Sequence, residues 1–109
     1  MPCKGGTPPL TAEETEPLIA QLDAWNRVDN HHLEKRYKLK NFAQALELVN
    51  RIGAVAEQQN HHPDITLAWG RVEIKIWTHK VNGLTESDFI FAAKCDAAHA
   101  GMVSSLQSA

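Results

Sequence analysis

Residues 65 to 79 alternate apolar and polar side chains across a glycine, and this pattern constrains the fold more than any other stretch. Ile65 to Trp69 alternates, Gly70-Arg71 reads as a two-residue turn of the Gly-X kind, and Val72 to His79 alternates again. Val72, Ile74 and Ile76 then point one way, while Glu73, Lys75, Trp77 and His79 point the other. Such a hairpin has one apolar face, which the rest of the chain must cover.

The cover is legible upstream. Asn41 with Gln44 makes a capping pair, and Phe42, Ala45, Leu46, Val49, Ile52 and Ala56 follow as one apolar helical stripe. Pro63 disfavours helical geometry at His62, so this helix is expected to end near Asn60. Trp25 to Val28 and His32 to Leu39 read as two more strands around a turn at Asp29-Asn30. In the second of them Leu33, Tyr37 and Leu39 share a face with Lys35. A first helix starts at Leu10-Thr11-Ala12-Glu13-Glu14 with a capping box and a staple, and its stripe is Leu18, Ile19, Leu22 and Trp25. Pro17 inside it predicts a kink or a short first turn. After a turn at Asn82-Gly83, Thr85 to Asp88 opens a last helix with another capping box, and Phe89, Ala92, Ala93 and Ala97 give it a face. The order of elements is helix, strand, strand, helix, strand, strand, helix. Hairpins joined by helices predict an α+β fold, an antiparallel sheet with helices on one face.

The chain has 109 residues, which suits a single domain over residues 10–109 behind a flexible leader, residues 1–9. Its net charge of −2, with no Lys/Arg block, gives no electrostatic sign of a nucleic-acid partner. No apolar run is long enough to span a bilayer, and the leader lacks the apolar centre of a signal peptide, so no membrane association is expected. Cys3 lies in the leader and Cys95 in the last helical pattern; free thiols in a reducing cytosol are the expected state, and the expected location is cytoplasmic. A core this thin is expected to gain from association with other copies.

The chemistry is concentrated in Glu57-Gln58-Gln59-Asn60-His61-His62-Pro63, followed by Thr78-His79 and Asp88. Imidazole gives or takes a proton near neutral pH, so three together point to proton transfer or to a metal site. Adjacent histidines point apart unless their loop bends sharply, and no His-x-x-x-His spacing occurs, so no metal is expected. A helix C-terminus alone could account for His61 and His62, because a cationic ring there answers the helix dipole. Asp88 is accounted for by position N3 of the capping box and reads as structural first. Glu57 is either a surface carboxylate or a group that holds a histidine tautomer. Trp69 and Trp77 read as packing residues, and His31-His32 as surface.

The set Glu57, His61-His62-Pro63, Trp69, His79 and Asp88, with Gly83-Leu84-Thr85-Glu86-Ser87-Asp88 around it, resembles the signature of the pterin-4a-carbinolamine dehydratase family from Trp25 to about Ala97. The resemblance implies a four-stranded antiparallel sheet backed by three helices, and a homo-oligomer, dimer or tetramer. It implies a small-molecule pterin substrate, a 4a-hydroxy-tetrahydropterin, which loses water to give the quinonoid dihydropterin. That step belongs to tetrahydrobiopterin recycling after phenylalanine hydroxylation. The catalytic residues implied are His61, His62 and His79, with His61 and His79 as the acid–base pair and His62 positioning the substrate. The substrate-binding set adds Pro63, Thr78, Lys80 and Val81, the backbone from Thr78 to Val81 meeting the pyrimidine edge. Glu57, Trp69 and Asp88 are implied as support. An acid that protonates the leaving oxygen and a base that takes the neighbouring ring N–H suffice for this reaction, so no cofactor is expected. Two other readings stay open: a non-catalytic module that stabilises a homeodomain transcription-factor dimer, and a dehydratase-like protein acting on another pterin, such as one in molybdenum cofactor metabolism.

Overall fold

The computed structural model describes residues 8–108, with side chains through Met102. Most of the expected leader, including Cys3, lies outside the described residues. Four strands, β1 (Asn26–Val28), β2 (His32–Lys38), β3 (Asp64–Ala68) and β4 (Arg71–Ile76), pair antiparallel in the order β1-β2-β4-β3. With the helices α1 (Ala12–Ile19), α2 (Phe42–Gln59) and α3 (Glu86–Ser108), they make the expected α+β fold.

The β3–β4 turn sits one residue earlier than expected. Ala68 pairs with Arg71, so Trp69-Gly70 forms the turn in place of Gly70-Arg71. This register sets Leu67 opposite Val72 and Ile65 opposite Ile74, keeping the apolar residues of both strands on one face. Gly70 is required by a close approach: a Cβ there would stand 2.9 Å from the Leu39 carbonyl oxygen, whose own N–H donates to Gly70 O at 2.9 Å. Trp69, expected to pack, is 69% exposed at the turn.

β4 also stops before His79. Beyond Ile76, Thr78 makes an isolated bridge with Gly83, and His79–Val81 forms one 3-10 turn closed by Asn82 at φ 52°. Asn82 tolerates this left-handed geometry, and Gly83 has no Cβ to collide with Pro9, so the chain folds back on itself.

α2 runs from the Asn41 cap, whose side chain accepts from Gln44 N, to Asn60 in the left-handed region, as the Pro63 argument predicted. Its buried residues are Ala45, Leu48, Ile52 and Ala56. The expected stripe is thus rotated: Leu48 faces the core, while Phe42 and Leu46, four residues apart, are 45% and 42% exposed. α1 carries the complete Thr11–Glu14 capping box but ends at Ile19, two residues after Pro17, so Leu22 and Trp25 lie beyond it. α3 buries Phe89, Phe91, Ala92, Cys95 and Met102; Ala93 and Ala97, expected on its inner face, are exposed.

The core lies between the sheet face carrying Leu33, Tyr37, Val72, Ile74 and Ile76 and the inner sides of α2 and α3. A polar knot pins α3 onto the sheet. Asp96 accepts from Trp25 Nε1 (3.0 Å), Lys35 Nζ (2.8 Å) and Tyr37 Oη (2.6 Å), so these groups are paired despite burial. Lys35 shares the inner face with Leu33 and Tyr37 for this reason. Desolvation, with the neighbouring Asp96 carboxylate adding to it, pushes both the Tyr37 hydroxyl and the Cys95 thiol well above their ordinary ranges.

Candidate active site

The end of α2, the segment after β4 and the start of α3 meet at Asp88. Its side chain is fully buried, and a carboxylate there needs partners for both oxygens. One oxygen faces His61 Nε2 at 2.6 Å. The other accepts from Thr78 Oγ1 at 2.9 Å and from the Thr85 backbone N–H at 2.8 Å. The Thr78 hydroxyl proton is committed to Asp88, so the Thr85 hydroxyl donates to Thr78 Oγ1 at 2.8 Å. The expected capping box is therefore half formed. Asp88 reaches back to the Thr85 N–H, but the Thr85 hydroxyl turns to Thr78. Asp88, read from sequence as a structural cap, also orients the first histidine of the motif.

A carboxylate only accepts, so His61 Nε2 carries a hydrogen and Nδ1 is the nitrogen left for other chemistry. The His61 ring packs edge-on against Phe91 at 6.0 Å. Beside it lies a shallow cleft of about 220 Å³ lined by Gln59, Asn60, His61, Thr78, Thr85, Ser87 and Ile90. Ile90 is 52% exposed and gives this cleft an apolar wall. Gln59, Asn60 and Ser87 fall inside the two sequence stretches that carry the motif, but neither periodicity nor motif spacing marks them, or Ile90, as residues that border a cleft.

His62 points elsewhere. Its Nε2 lies 2.6 Å from Glu57 Oε2, one turn back on α2, and both side chains are largely exposed. Glu57 is thus an exposed surface carboxylate that also lies within hydrogen-bond distance of a motif histidine. Pro63 follows at once and leads into β3. His79 is exposed on the 3-10 turn, its ring stacked on Trp77 with centroids 4.4 Å apart and planes at 22°. His61 and Thr78 share the cleft; His62 and His79 flank it from adjoining segments and are not among its lining residues. Trp69, at the far turn of the hairpin, joins none of these contacts.

The backbone at the 3-10 turn is partly used. Thr78 N donates to Gly83 O, Thr78 O accepts from Val81 N and Gly83 N, and His79 O accepts from Asn82 N. Lys80 is exposed at the tip of this turn. His31 and His32, expected on the surface, are half-buried and lie against Trp77, at ring distances of 5.2 and 6.0 Å.

A larger concavity, about 540 Å³, lies on the open face of the sheet among Asn26, Glu34, Arg36, Asp64, Thr66, Glu73 and Lys75. Its charges pair across strands, Arg36 with Glu73 at 3.5 Å and Lys75 with Glu34 at 3.8 Å. It is a charged, open sheet face, whereas the cleft at His61 brings an imidazole held by a buried carboxylate to its edge. Among the described residues no helix is long and apolar enough to cross a membrane.

Comparison with known proteins bears on the same residues. The family model described as pterin 4 alpha carbinolamine dehydratase matches residues 8–98. A Rubrobacter xylanophilus protein assigned as a pterin-4-alpha-carbinolamine dehydratase is 59% identical over 96 residues, covering 88% of this chain and 90% of its own. One from Alkaliphilus metalliredigens is 52% identical over 97 residues, covering 88% and 87%. Among solved structures, a transcriptional coactivator/pterin dehydratase from Brucella melitensis superposes with a TM-score of 0.78 at 33% identity, over 83% of this chain and 97% of that one.

Proposed function

Because the chain belongs to the pterin-4a-carbinolamine dehydratase family, we propose that it removes water from a 4a-hydroxy-tetrahydropterin to give the quinonoid dihydropterin. The observation that carries this reading is the buried Asp88 carboxylate holding His61 at the edge of a cleft. An imidazole held through Nε2–H by a buried carboxylate keeps Nδ1 as a proton acceptor, and the carboxylate stabilises the imidazolium that forms. His61 is therefore the base for the ring N–H, and His79 the acid for the departing hydroxyl. His62, oriented by Glu57, positions the substrate together with Pro63. The free backbone groups between Thr78 and Val81 meet the pyrimidine edge of the pterin, with Lys80 outside it. Neither proton transfer needs a cofactor.

The same reading places the protein in the cytoplasm, in tetrahydrobiopterin recycling after phenylalanine hydroxylation. It also makes the protein a homo-oligomer. Phe42 and Leu46, side by side on the outer edge of α2, support that part, since an apolar pair on a helix is stabilised by cover.

Stopped-flow absorbance with a synthetic 4a-hydroxy-tetrahydropterin, after treatment of the protein with chelator, is the test. The carbinolamine is expected to disappear faster than in buffer. His61→Ala and His79→Ala are each expected to lower kcat by about 10²–10⁴-fold, the range for a lost acid or base, before spontaneous dehydration masks the remainder. A wild-type trace that matches buffer would remove the enzymatic reading.

A further inference from the structure

The His31-His32 pair has no part in the signature, yet it touches the segment that carries His79 at two points. His31 Nε2 lies 2.9 Å from Asn82 Oδ1, and the Asn82 backbone N–H in turn closes the 3-10 turn by donating to His79 O at 3.1 Å. The rings of His31 and His32 pack against Trp77, on which His79 is stacked. The pair is itself held from behind. His31 Nδ1 and His32 Nδ1 are 3.0 Å apart, and His32 Nε2 lies 2.9 Å from Glu34 Oε2.

We propose that His31 is a positioning residue for His79, and that it works as half of an imidazole pair stapled between Glu34 and Asn82. Glu34 only accepts, so His32 Nε2–H donates to it at 2.9 Å. A hydrogen bond joins the two Nδ1 atoms at 3.0 Å, and His31 Nε2 meets the Asn82 side-chain amide at 2.9 Å. The next charged group is Lys75, 3.8 Å from the Glu34 carboxylate.

The base of the staple is rigid. Asn30, next to His31, donates to Leu10 O at 2.9 Å and accepts from the buried Thr15 hydroxyl at 2.6 Å. The β1–β2 turn is thereby fixed to α1, and His31 transmits that fixed position to the His79 turn. An exposed acid on a short turn would otherwise sample many orientations, and loss of orientation alone lowers the rate.

This inference rests on the reading of His79 as an acid in dehydration, and the experiment separates the two. Ring-nitrogen NMR on the full-length, ¹⁵N-labelled protein reads His79 directly, with or without turnover. His31→Ala is expected to shift the His79 ring signals. In steady-state kinetics it is expected to lower kcat by about tenfold with KM nearly unchanged. His31→Gln, whose amide can still donate to Asn82, is expected to recover most of kcat. Asn82→Gly keeps the left-handed turn, cuts the staple at its other end and is expected to shift His79 in the same way, which covers the case of a His31 variant that fails to fold. Unshifted His79 signals in a folded His31→Ala or Asn82→Gly protein would overturn the positioning role. If the wild-type protein shows no dehydratase activity while His79 still shifts, the staple stands and the proposed reaction falls.

Discussion

The carboxylate of Asp88 accepts three hydrogen bonds out of reach of water, and they come from three different segments. One of them, to Thr85 N, is a helix cap and was legible from the Thr85-x-x-Asp88 spacing alone. The bond to His61 spans 27 residues, and nothing local in the sequence encodes it. Periodicity and capping rules describe neighbours along the chain, so they assigned Asp88 its cap and missed its hold on the imidazole. The two roles can be separated. Asp88→Asn keeps an oxygen for the Thr85 N–H but loses the charge that orients His61, so kcat is expected to fall by about 10- to 100-fold with the fold retained. Asp88→Ala also leaves buried donors unpaired and is expected to cost about 3 kcal/mol or more of stability. Kinetics alongside thermal melts check both, and a wild-type kcat in Asp88→Asn would show that the carboxylate serves only the helix.

At the level of elements, every helix and strand was legible, and the errors lie at their ends and in their rotation. The β3–β4 turn moved by one residue because cross-strand pairing of Ile65 with Ile74 and Leu67 with Val72 outweighed the local preference of Gly-Arg for a turn. The α2 stripe was misread because Phe42 and Leu46 fit a helical period as well as Leu48 does; only the sheet decides which of them is inside. β4 was read through to His79, whereas its pairing ends at Ile76 and the 3-10 turn follows. That turn matters for the proposed pterin contact. Lys80→Ala removes an exposed side chain and is expected to leave binding nearly unchanged. Val81→Pro removes the N–H that donates to Thr78 O at 3.3 Å and bends the turn, so it is expected to weaken binding. Titration with the pterin product distinguishes them, and negligible effects of both changes would put the ring elsewhere.

For the whole molecule, one sheet face is covered by helices and the outer edge of α2 keeps two large apolar residues in solvent. Light scattering at micromolar concentration is expected to give a dimer or tetramer mass; a monomer mass with full activity would show that one copy suffices. Stability should also depend on acidity through His99. Burial, with the Lys35 ammonium adding to it, holds this imidazole below its ordinary range, against a smaller pull from Asp96. Between the folded value and the unfolded one near ~6.5, the unfolded chain binds more protons, so this contribution is complete above that window and is lost as pH falls through it. His99→Gln is expected to narrow the gap between melting temperatures at about pH 7.5 and about pH 5.5 relative to wild type. An unchanged gap would exclude the group as a source of acid sensitivity. The Asp96 knot has a consequence in time. Trp25 and Asp96 are 71 residues apart, so their bond closes one of the longest loops the chain can make. The bond makes the Trp25 indole a reporter of α3 docking: with Trp69 and Trp77 replaced by Phe, its fluorescence is expected to reach the native value together with the docking of that helix, which also carries Asp88 to His61.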